Sequence, residues 1–284
     1  MDDEKETAAG RKARLRADLV EVARERDPDQ APAGHAFVGD YIHRRFRTLG
    51  RAEVHAFGHH GRTHRNLILD LPGRSNDGFV LIGAHYDGVP GSPGADDNAS
   101  AVAVLLEMAR AFAADPPRHR VRLAAFDLEE RDLAGSRAYA AELHRRREPL
   151  ALMIALEMLG YADRRPGSQR YPPGLRHLYP DRGDFIGLIG NLRAVPQLRR
   201  AARIIRRSVP CEWLAVPWHG RVLPDTRRSD HAPFWDLGYP AFMVTDTADM
   251  RNPHYHTAGD RIETLDLDFL AAVCTGLIGA VHDL

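Results

Sequence analysis

The 284-residue sequence has little cysteine, very little lysine and no excess of charge of either sign. Two cysteines, Cys211 and Cys274, cannot form a disulfide framework or a thiolate metal site. We expect two buried thiols rather than a disulfide between them. Lysine occurs only at Lys5 and Lys12, which we attribute to codon bias and not to function. Basic and acidic residues balance at 39 each, which argues against binding of nucleic acid or anionic lipid over a broad surface.

Long hydrophobic runs are also missing. No stretch approaches the roughly 18 apolar residues that a membrane span requires. Residues 1–16 are charged and lack the apolar centre of a secretory signal peptide. We therefore expect a cytoplasmic protein without membrane or nucleic-acid partners. The chain is 44% hydrophobic and 27% charged, which is the composition of a soluble protein with a sizeable core.

Alternating helix and strand patterns predict an α/β fold, a three-layer α/β/α sandwich with a mixed, mostly parallel central sheet. The runs FVLIGA and ALMIAL are short and continuously apolar, as is typical of strands covered on both faces. We expect helices at 15–23, 35–49, 99–114, 133–147 and 195–208, a last helix after Asp266, and strands at 53–57, 65–70, 79–84, 121–127, 151–156, 185–190 and 241–245.

The helix at 35–49 is predicted to turn Phe37, Tyr41, Ile42 and Phe46 inward. All of residues 1–284 are expected to form a single domain. Its parts are N-terminal helices at 7–50, a sheet core at 51–284, and loops over a site at 158–184 and 218–230.

Charged side chains follow three of the predicted strands directly. His85 and Asp87 come after FVLIGA, Glu129 and Glu130 after the next strand, and Glu157 after ALMIAL. Ligands of open α/β sheets bind beyond the carboxyl ends of the strands, so these side chains are expected at one rim. Crowded carboxylates repel one another unless a multivalent cation joins them, and a mixed His and carboxylate set suits zinc or a similar ion. In the glutamate pair, one side chain is expected to bind metal and the other to face substrate.

The segment GADDNAS adds two aspartates at the start of a predicted helix. Helix capping explains one of Asp96, Asp97 and Asn98. Two consecutive aspartates after a glycine-rich loop exceed what capping needs, so a metal role is predicted for one aspartate.

The chain has 15 histidines, and a lone histidine is more often a surface or core residue. The residues by themselves therefore leave His254 and His256 open as ligands.

Five blocks resemble the aminopeptidase Y family of co-catalytic zinc peptidases in clan MH. In chain order, from about His85 to Asp266, they are AHYDGVPGSPGADDNASA, FDLEERDLAGS, ALEMLGY, RSDHAPFWDLGYPAFMVTDTA and NPHYHTAGDRIETLD. The resemblance implies a single metallopeptidase domain with the zinc-peptidase (phosphorylase/hydrolase-like) fold. It further implies an aminopeptidase that holds two zinc ions per chain and removes N-terminal residues from peptides through a metal-bridging hydroxide.

The resemblance also implies a ligand set for the two ions. His85 and Glu157 correspond to the outer ligands of one metal, and Glu130 and His256 to those of the other. Asp97 corresponds to the carboxylate that bridges both.

Further residues correspond to the chemistry around the ions. Asp87 matches the carboxylate that orients His85, and Glu129 matches the general base. Tyr255 matches a residue that in some members donates a hydrogen bond to the oxyanion, and Asp230 is a weaker candidate for support of the site.

Three positions depart from the family pattern. Ala101 stands where glycine is usual. Asp132 replaces a glycine after the glutamate pair and adds a carboxylate near the rim. Arg261 stands where threonine is frequent, which puts the usual hydrogen bonding of that turn in doubt. None of the three removes a metal ligand.

Peptides with a free N-terminus are the expected substrates, because a carboxylate-rich rim suits an α-amine. Tyr171, Arg182, Trp213, Trp218 and Trp235 are candidates for lining a substrate pocket, although aromatic residues more often belong to the core.

Three alternatives stay open. A glutaminyl cyclase-like acyltransferase has the same scaffold, but such proteins use a single zinc and depart from the DDNAS pattern. A non-catalytic binding module typically loses ligands, and here all five are present beside Glu129. A carboxypeptidase- or aminoacylase-like hydrolase usually inserts a second domain, for which no stretch of this chain is long enough.

Overall fold

The computed structural model describes residues 8–284, and within them eight strands form one sheet in the order β1-β2-β4-β3-β5-β8-β6-β7. The strands are β1 Arg51–His59, β2 Arg62–Leu71, β3 Ser75–His85, β4 His119–Phe126, β5 Leu150–Glu157, β6 Ile186–Asn191, β7 Cys211–Val216 and β8 Ala241–Thr245. The α-helices of the same residues are α1 Ala8–Val22, α2 Pro32–Arg47, α3 Ala101–Ala114, α4 Ala134–Arg146, α5 Val195–Ile205, α6 Ala232–Asp236 and α7 Leu267–Asp283. The predicted helix start at residue 7 and part of segment 1–16 lie outside the described residues.

The strand pairing confirms a mixed, mostly parallel sheet. β3 lies at the centre and pairs in parallel with β4 and β5, and β5 pairs in parallel with β8. β6 and β7 are parallel to each other, whereas β6 runs antiparallel to β8. β1 and β2 form an antiparallel edge next to β4. The carboxyl ends of β3, β4, β5 and β8 therefore meet at the same side of the sheet.

Helices cover both faces of the sheet, because alternate residues of the central strands point to opposite sides. Val80 and Ile82 of β3 pack in the larger core cluster, to which α1, α2, α3, α5 and α7 contribute. Phe79 and Leu81 pack in the second cluster together with α4 and α6. The three-layer α/β/α prediction is confirmed. Both cysteines are free and buried, as expected.

Some local predictions were wrong. Phe37 is 37% exposed, because the inward face of α2 is formed by Val38, Ile42 and Phe46, and the guanidinium of Arg24 covers the Phe37 ring at 4.0 Å. The expected side-chain cap at the start of α3 is absent in the described chain, where Ser100 occupies the cap position. Strand β7 was not predicted, and neither was helix α6, which has only 5 residues and so shows no helical periodicity. Across residues 8–284, we find no helix with the length and hydrophobicity that a membrane crossing demands.

Candidate metal centre

The strand ends bring the predicted ligands to one rim. His85 is the last residue of β3 and lies opposite Phe126 of β4. Glu157 is the last residue of β5, and Glu129 and Glu130 lie in the turn that follows β4. Parallel pairing keeps these ends level, so their side chains share one space above the sheet.

Asp97 lies between two groups of ligand atoms. Its Oδ1 is 3.2 Å from His85 Nε2, which in turn is 3.6 Å from Glu157 Oε1. Its Oδ2 is 3.0 Å from His256 Nε2, which is 3.4 Å from Glu130 Oε1. Asp97 thus belongs to two groups of three residues, one with His85 and Glu157 and the other with Glu130 and His256. In each of these triads the ligand atoms all lie within 4.8 Å of one another.

The same atoms lack partners from the protein. Within the described residues, His85 Nε2, Asp97 Oδ1 and Glu130 Oε1 are buried and make no hydrogen bond. An unpaired buried polar atom is costly unless something else binds it. Four ligands around a zinc ion at about 2.1 Å are separated from one another by about 3.4 Å, which is close to the separations observed here. The residues therefore fit zinc or a similar divalent ion.

Burial and crowding shift the pKa values at this rim. Burial and the neighbouring Asp97 raise the pKa of Glu130 to about 7. Burial raises the pKa of Glu129 well above its usual range, and the Glu157 and Glu130 carboxylates raise it further. Burial disfavours a charged His256, yet the nearby carboxylates of Asp97 and Glu130 raise its pKa to about 10. A cation among these groups would relieve the repulsion that these shifts report.

Asp87 links two of the strand ends. Its Oδ1 lies 3.5 Å from His85 Nδ1 and accepts the backbone N–H of Glu129 at 3.0 Å. Its Oδ2 accepts the backbone N–H of Glu130 at 3.1 Å. The residue predicted to orient His85 therefore also holds the turn that carries both glutamates.

The structure separates the two aspartates of GADDNAS. Asp96 accepts hydrogen bonds from the backbone N–H of Gly160 at 2.9 Å and from the side chain of Asn252 at 2.8 Å. The Asp96 carboxylate is thus engaged in hydrogen bonds that stabilise the fold. The Asp97 carboxylate is the one that lies among the candidate metal ligands. Asp97 has an extended backbone rather than a helical one, and the Asp97–Asn98 peptide bond is cis.

His254 and His256 are separated in a similar way. His256 reaches Asp97, whereas His254 belongs to none of the candidate groups found among the described residues.

Three residues beside the ligands come from the predicted loop at 218–230. Ser229 donates a hydrogen bond to Glu157 Oε2 at 2.6 Å. Arg228 donates to the hydroxyl of Tyr255 at 3.2 Å, so that hydroxyl keeps its own proton for another acceptor. Asp230 is fully buried next to the site, and its burial together with Glu157 raises its pKa to about 7. Arg228 and Ser229 both lie in the block RSDHAPFWDLGYPAFMVTDTA, but neither was predicted to be a site residue.

A cavity of about 120 Å³ opens beside Glu157 and Tyr255. Its walls are mainly apolar and include Leu175, Tyr179, Phe185, Leu188, Ile189, Leu214, Leu223, Met243 and Met250. Of the predicted pocket residues, Tyr171 and Trp213 line it. The others do not belong to its wall within the described chain: Trp218 is 72% exposed, Trp235 is buried in the core, and Arg182 lies elsewhere in its loop.

The three departures from the family pattern leave the site intact. Ala101 is buried in α3, and Asp132 is exposed with a backbone φ of 59°. Arg261 Nε donates to the carbonyl oxygen of Ala258 at 2.9 Å, so its turn is held by a different hydrogen bond.

Fold and cluster together define an α/β protein with a candidate centre for divalent metal. Residues 66–185 and 219–281 match the model of peptidase family M28, and the chain belongs to that family. It is 39% identical over 237 residues to the uncharacterised protein YfbL of Escherichia coli (strain K12), covering 78% of this chain and 72% of that protein.

Other relatives are longer. Leucine aminopeptidase 1 of Metarhizium robertsii is 26% identical over an alignment of 244 residues, which covers 81% of this chain and 56% of that enzyme. Aminopeptidase YwaD of Bacillus subtilis is 29% identical over an alignment of 209 residues, which covers 72% of this chain and 41% of that one. This chain thus spans about half the length of these two relatives.

Solved structures share the architecture. The LapA aminopeptidase of Legionella pneumophila matches with a TM-score of 0.72 and 16% identity, over 99% of this chain and 74% of that one. A glutaminyl cyclase of Tannerella forsythia matches with a TM-score of 0.69 and 18% identity, over 98% of this chain and 99% of that one. At such identities the likeness shows the fold alone.

Proposed function

We propose that the protein is a zinc-dependent aminopeptidase of the co-catalytic, aminopeptidase Y type in clan MH. The observation that carries the proposal is the position of Asp97, whose two oxygens face His85 at 3.2 Å and His256 at 3.0 Å. One carboxylate between two ligand triads suits two ions per chain. Membership of family M28 and relatives named aminopeptidases support the same function.

His85 and Glu157 would hold one ion, Glu130 and His256 the other, and Asp97 both. When bound, such ions lower the pKa of a coordinated water and polarise the scissile carbonyl. The protein's residues account for the remaining steps, which are proton transfer, orientation of the ligands and recognition of the substrate.

Glu129 is the proposed general base. Its Oε2 lies 3.9 Å from His85 Nε2, beside the ligand atoms. Burial and the neighbouring Glu157 raise its pKa well above the usual range of a glutamate, and a carboxylate with a raised pKa is a stronger base. Glu129 takes the proton of the attacking water and passes it to the leaving amine. The Tyr255 hydroxyl, which accepts a bond from Arg228, donates its proton in a hydrogen bond to the developing oxyanion.

The cavity beside Glu157 receives the side chain of the N-terminal residue. Its apolar wall favours a large aliphatic or aromatic side chain. Carboxylates at its mouth attract the free α-ammonium group, so blocked or internal peptide bonds are poor substrates.

A panel of aminoacyl anilides tests this function, with leucyl, phenylalanyl, lysyl and N-acetyl-leucyl substrates. We expect hydrolysis of the leucyl and phenylalanyl compounds and none of the N-acetyl compound. A chelator abolishes turnover and added zinc restores it, with two zinc ions per chain by elemental analysis. Equal hydrolysis of the N-acetyl substrate, or full activity in metal-free protein, contradicts the proposal.

A glutaminyl cyclase-like activity is the second candidate, because a cyclase shares the fold over 98% of this chain. The same protein sample is incubated with a peptide that begins with glutamine. Release of ammonia with one zinc ion per chain, and no anilide hydrolysis, would favour this alternative.

A single domain over residues 1–284 and a cytoplasmic location stay predictions. The first is supported by bonds between α1 and α7, where Lys12 Nζ donates to Asp268 at 2.7 Å and Arg11 donates to Thr275 at 2.7 Å.

A further inference from the structure

A buried arginine lies behind the metal centre, in the segment between α1 and α2. Arg26 is 0% exposed. Its Nη2 donates to the carbonyl oxygens of Gly94 and Asp97, each at 2.9 Å, and its Nη1 donates to that of Pro93 at 2.6 Å. All three carbonyls belong to the loop that leads from β3 to the shared ligand. A single guanidinium therefore holds this loop together through hydrogen bonds to three of its carbonyl oxygens.

The loop is shaped to admit the guanidinium. Gly94 has a φ of 57°, and a Cβ at this position would lie 2.2 Å from the Asp97 carbonyl oxygen and 2.8 Å from Arg26 Nη2. A Cβ at Gly88 would lie 3.3 Å from Arg26 Cγ. Glycine at position 94 thus satisfies a left-handed backbone and a close approach at the same time.

Asp260 binds the same loop from another direction. It accepts the backbone N–H groups of Asp96 and Asp97 at 2.9 and 3.0 Å. The N–H of Asp97 is therefore held by Asp260 and its carbonyl by Arg26, two side chains that are distant in sequence. With both polar backbone groups bound, the Cα–Cβ direction of Asp97 is set by these contacts.

Asp27 connects the segment between α1 and α2, which contains Arg26, to the turn that carries Glu130. Its Oδ1 accepts the backbone N–H groups of Asp29 and Gln30 at 2.9 and 2.6 Å. Its Oδ2 accepts a hydrogen bond from Arg131, the neighbour of Glu130, at 2.8 Å. The segment between α1 and α2 thus contacts both the Asp97 loop and the Glu130 turn.

We propose that Arg26 is a positioning residue for the metal centre, which holds Asp97 so that each of its oxygens faces one ion. The inference rests on the proposed metal site. The guanidinium stays protonated and also places a positive charge behind a rim rich in carboxylates, where Asp97 and Asp260 are its largest electrostatic partners. Residues that orient ligands from outside the coordination sphere typically affect metal affinity by about 10–100-fold.

The test compares zinc affinity in Arg26→Met, Arg26→Lys and wild-type protein by competition with a chelator. We expect Arg26→Met to bind zinc about 10–100-fold more weakly, and Arg26→Lys to recover part of the loss because it keeps the charge. The absorption spectrum of the cobalt-substituted protein should also change in both variants, since it reports the ligand geometry. If Arg26→Met does not fold, Arg26→Lys alone carries the comparison, with an expected loss of affinity and an altered cobalt spectrum.

Arg122→Met is the matched control, because Arg122 is also a largely buried arginine, bonded to Asp70 and Glu148 away from the site. It should lower the melting temperature and leave zinc affinity unchanged. Wild-type zinc affinity and cobalt spectra in the Arg26 variants overturn the inference, and so does an equal loss in Arg122→Met. Failure of the wild-type protein to bind zinc would instead overturn the proposed function.

Discussion

The carboxylate of Asp87 accepts a hydrogen bond of 3.0 Å from the backbone N–H of Glu129. Asp87 follows the end of β3 and Glu129 follows the end of β4, so this bond joins two neighbouring strand ends. The same carboxylate lies 3.5 Å from His85 Nδ1. The position of the proposed base and the orientation of a proposed ligand therefore depend on one side chain.

Asp87→Asn should weaken both functions of this carboxylate. An asparagine keeps one acceptor oxygen, so it cannot accept from Glu129 and Glu130 together and also face His85 as an acceptor. We expect zinc affinity to fall by about 10–100-fold, as measured by chelator competition. Asp115→Asn, the same change at a surface carboxylate bonded to Arg74, serves as the control. Unchanged zinc affinity in Asp87→Asn would show that Asp87 does not orient the ligand.

Glu129→Gln should separate catalysis from metal binding. The amide cannot take a proton from water, so kcat should fall by about 10²–10⁴-fold, while the zinc content stays at the wild-type value. Glu142→Gln makes the same exchange on α4, where Glu142 pairs with Arg146, and should keep full activity. Near-wild-type turnover in metal-loaded Glu129→Gln rules out its role as the base.

Tyr255→Phe should act on turnover more than on substrate binding. Removal of one donor to an oxyanion typically costs about 10²–10³-fold in kcat, whereas the ground-state carbonyl needs that donor less, so KM should change little. Tyr41→Phe, which removes a hydroxyl bonded to Asp18 on the N-terminal helices, is the control for kcat. A rise in KM with unchanged kcat would assign Tyr255 to substrate binding alone.

Because His231 is buried, we expect the free energy of unfolding to depend on pH whether or not metal is bound. His231 is fully buried, its Nε2 contacts the carbonyl oxygen of Thr226 at 2.8 Å, and burial lowers its pKa to about 4. The unfolded chain takes up the proton near pH 6.5, before the folded protein does. Stability from this group is therefore complete above pH 6.5 and is lost as the pH falls toward 4. The expected loss is about 3 kcal/mol, since one pKa unit corresponds to about 1.4 kcal/mol.

His231→Gln isolates this effect, because the amide can still donate to Thr226 but does not titrate. Free energies of unfolding are measured in urea for both metal-free proteins between pH 7 and pH 4. The free energy of unfolding of the wild-type protein, relative to that of His231→Gln, should fall by about 3 kcal/mol from pH 7 to pH 4. Parallel curves for the two proteins would mean that His231 is not the responsible group.

The strand ends illustrate how much of the site could be predicted before the structure. Both faces of β3 and β5 are covered, and a strand covered on both faces needs a continuous run of apolar residues. Such a run is visible in neighbouring residues, as in FVLIGA and ALMIAL. The polar residues that follow, His85 and Glu157, are consequently easy to assign to a rim. A surface helix carries a weaker signal, and Phe37 was misplaced because one residue of shift turns a helical side chain by about 100°.

Sequence by itself determined which segments are apolar and where each run stops, since these follow from the periodicity of neighbouring residues. Only the tertiary structure decided that Asp96 serves the fold while Asp97 faces two histidines, because the distinction depends on Gly160 and Asn252, far along the chain. The apolar cavity and the contacts of Arg26 were decided in the same way. They depend on how distant loops pack around the sheet, and no local pattern of residues encodes that packing.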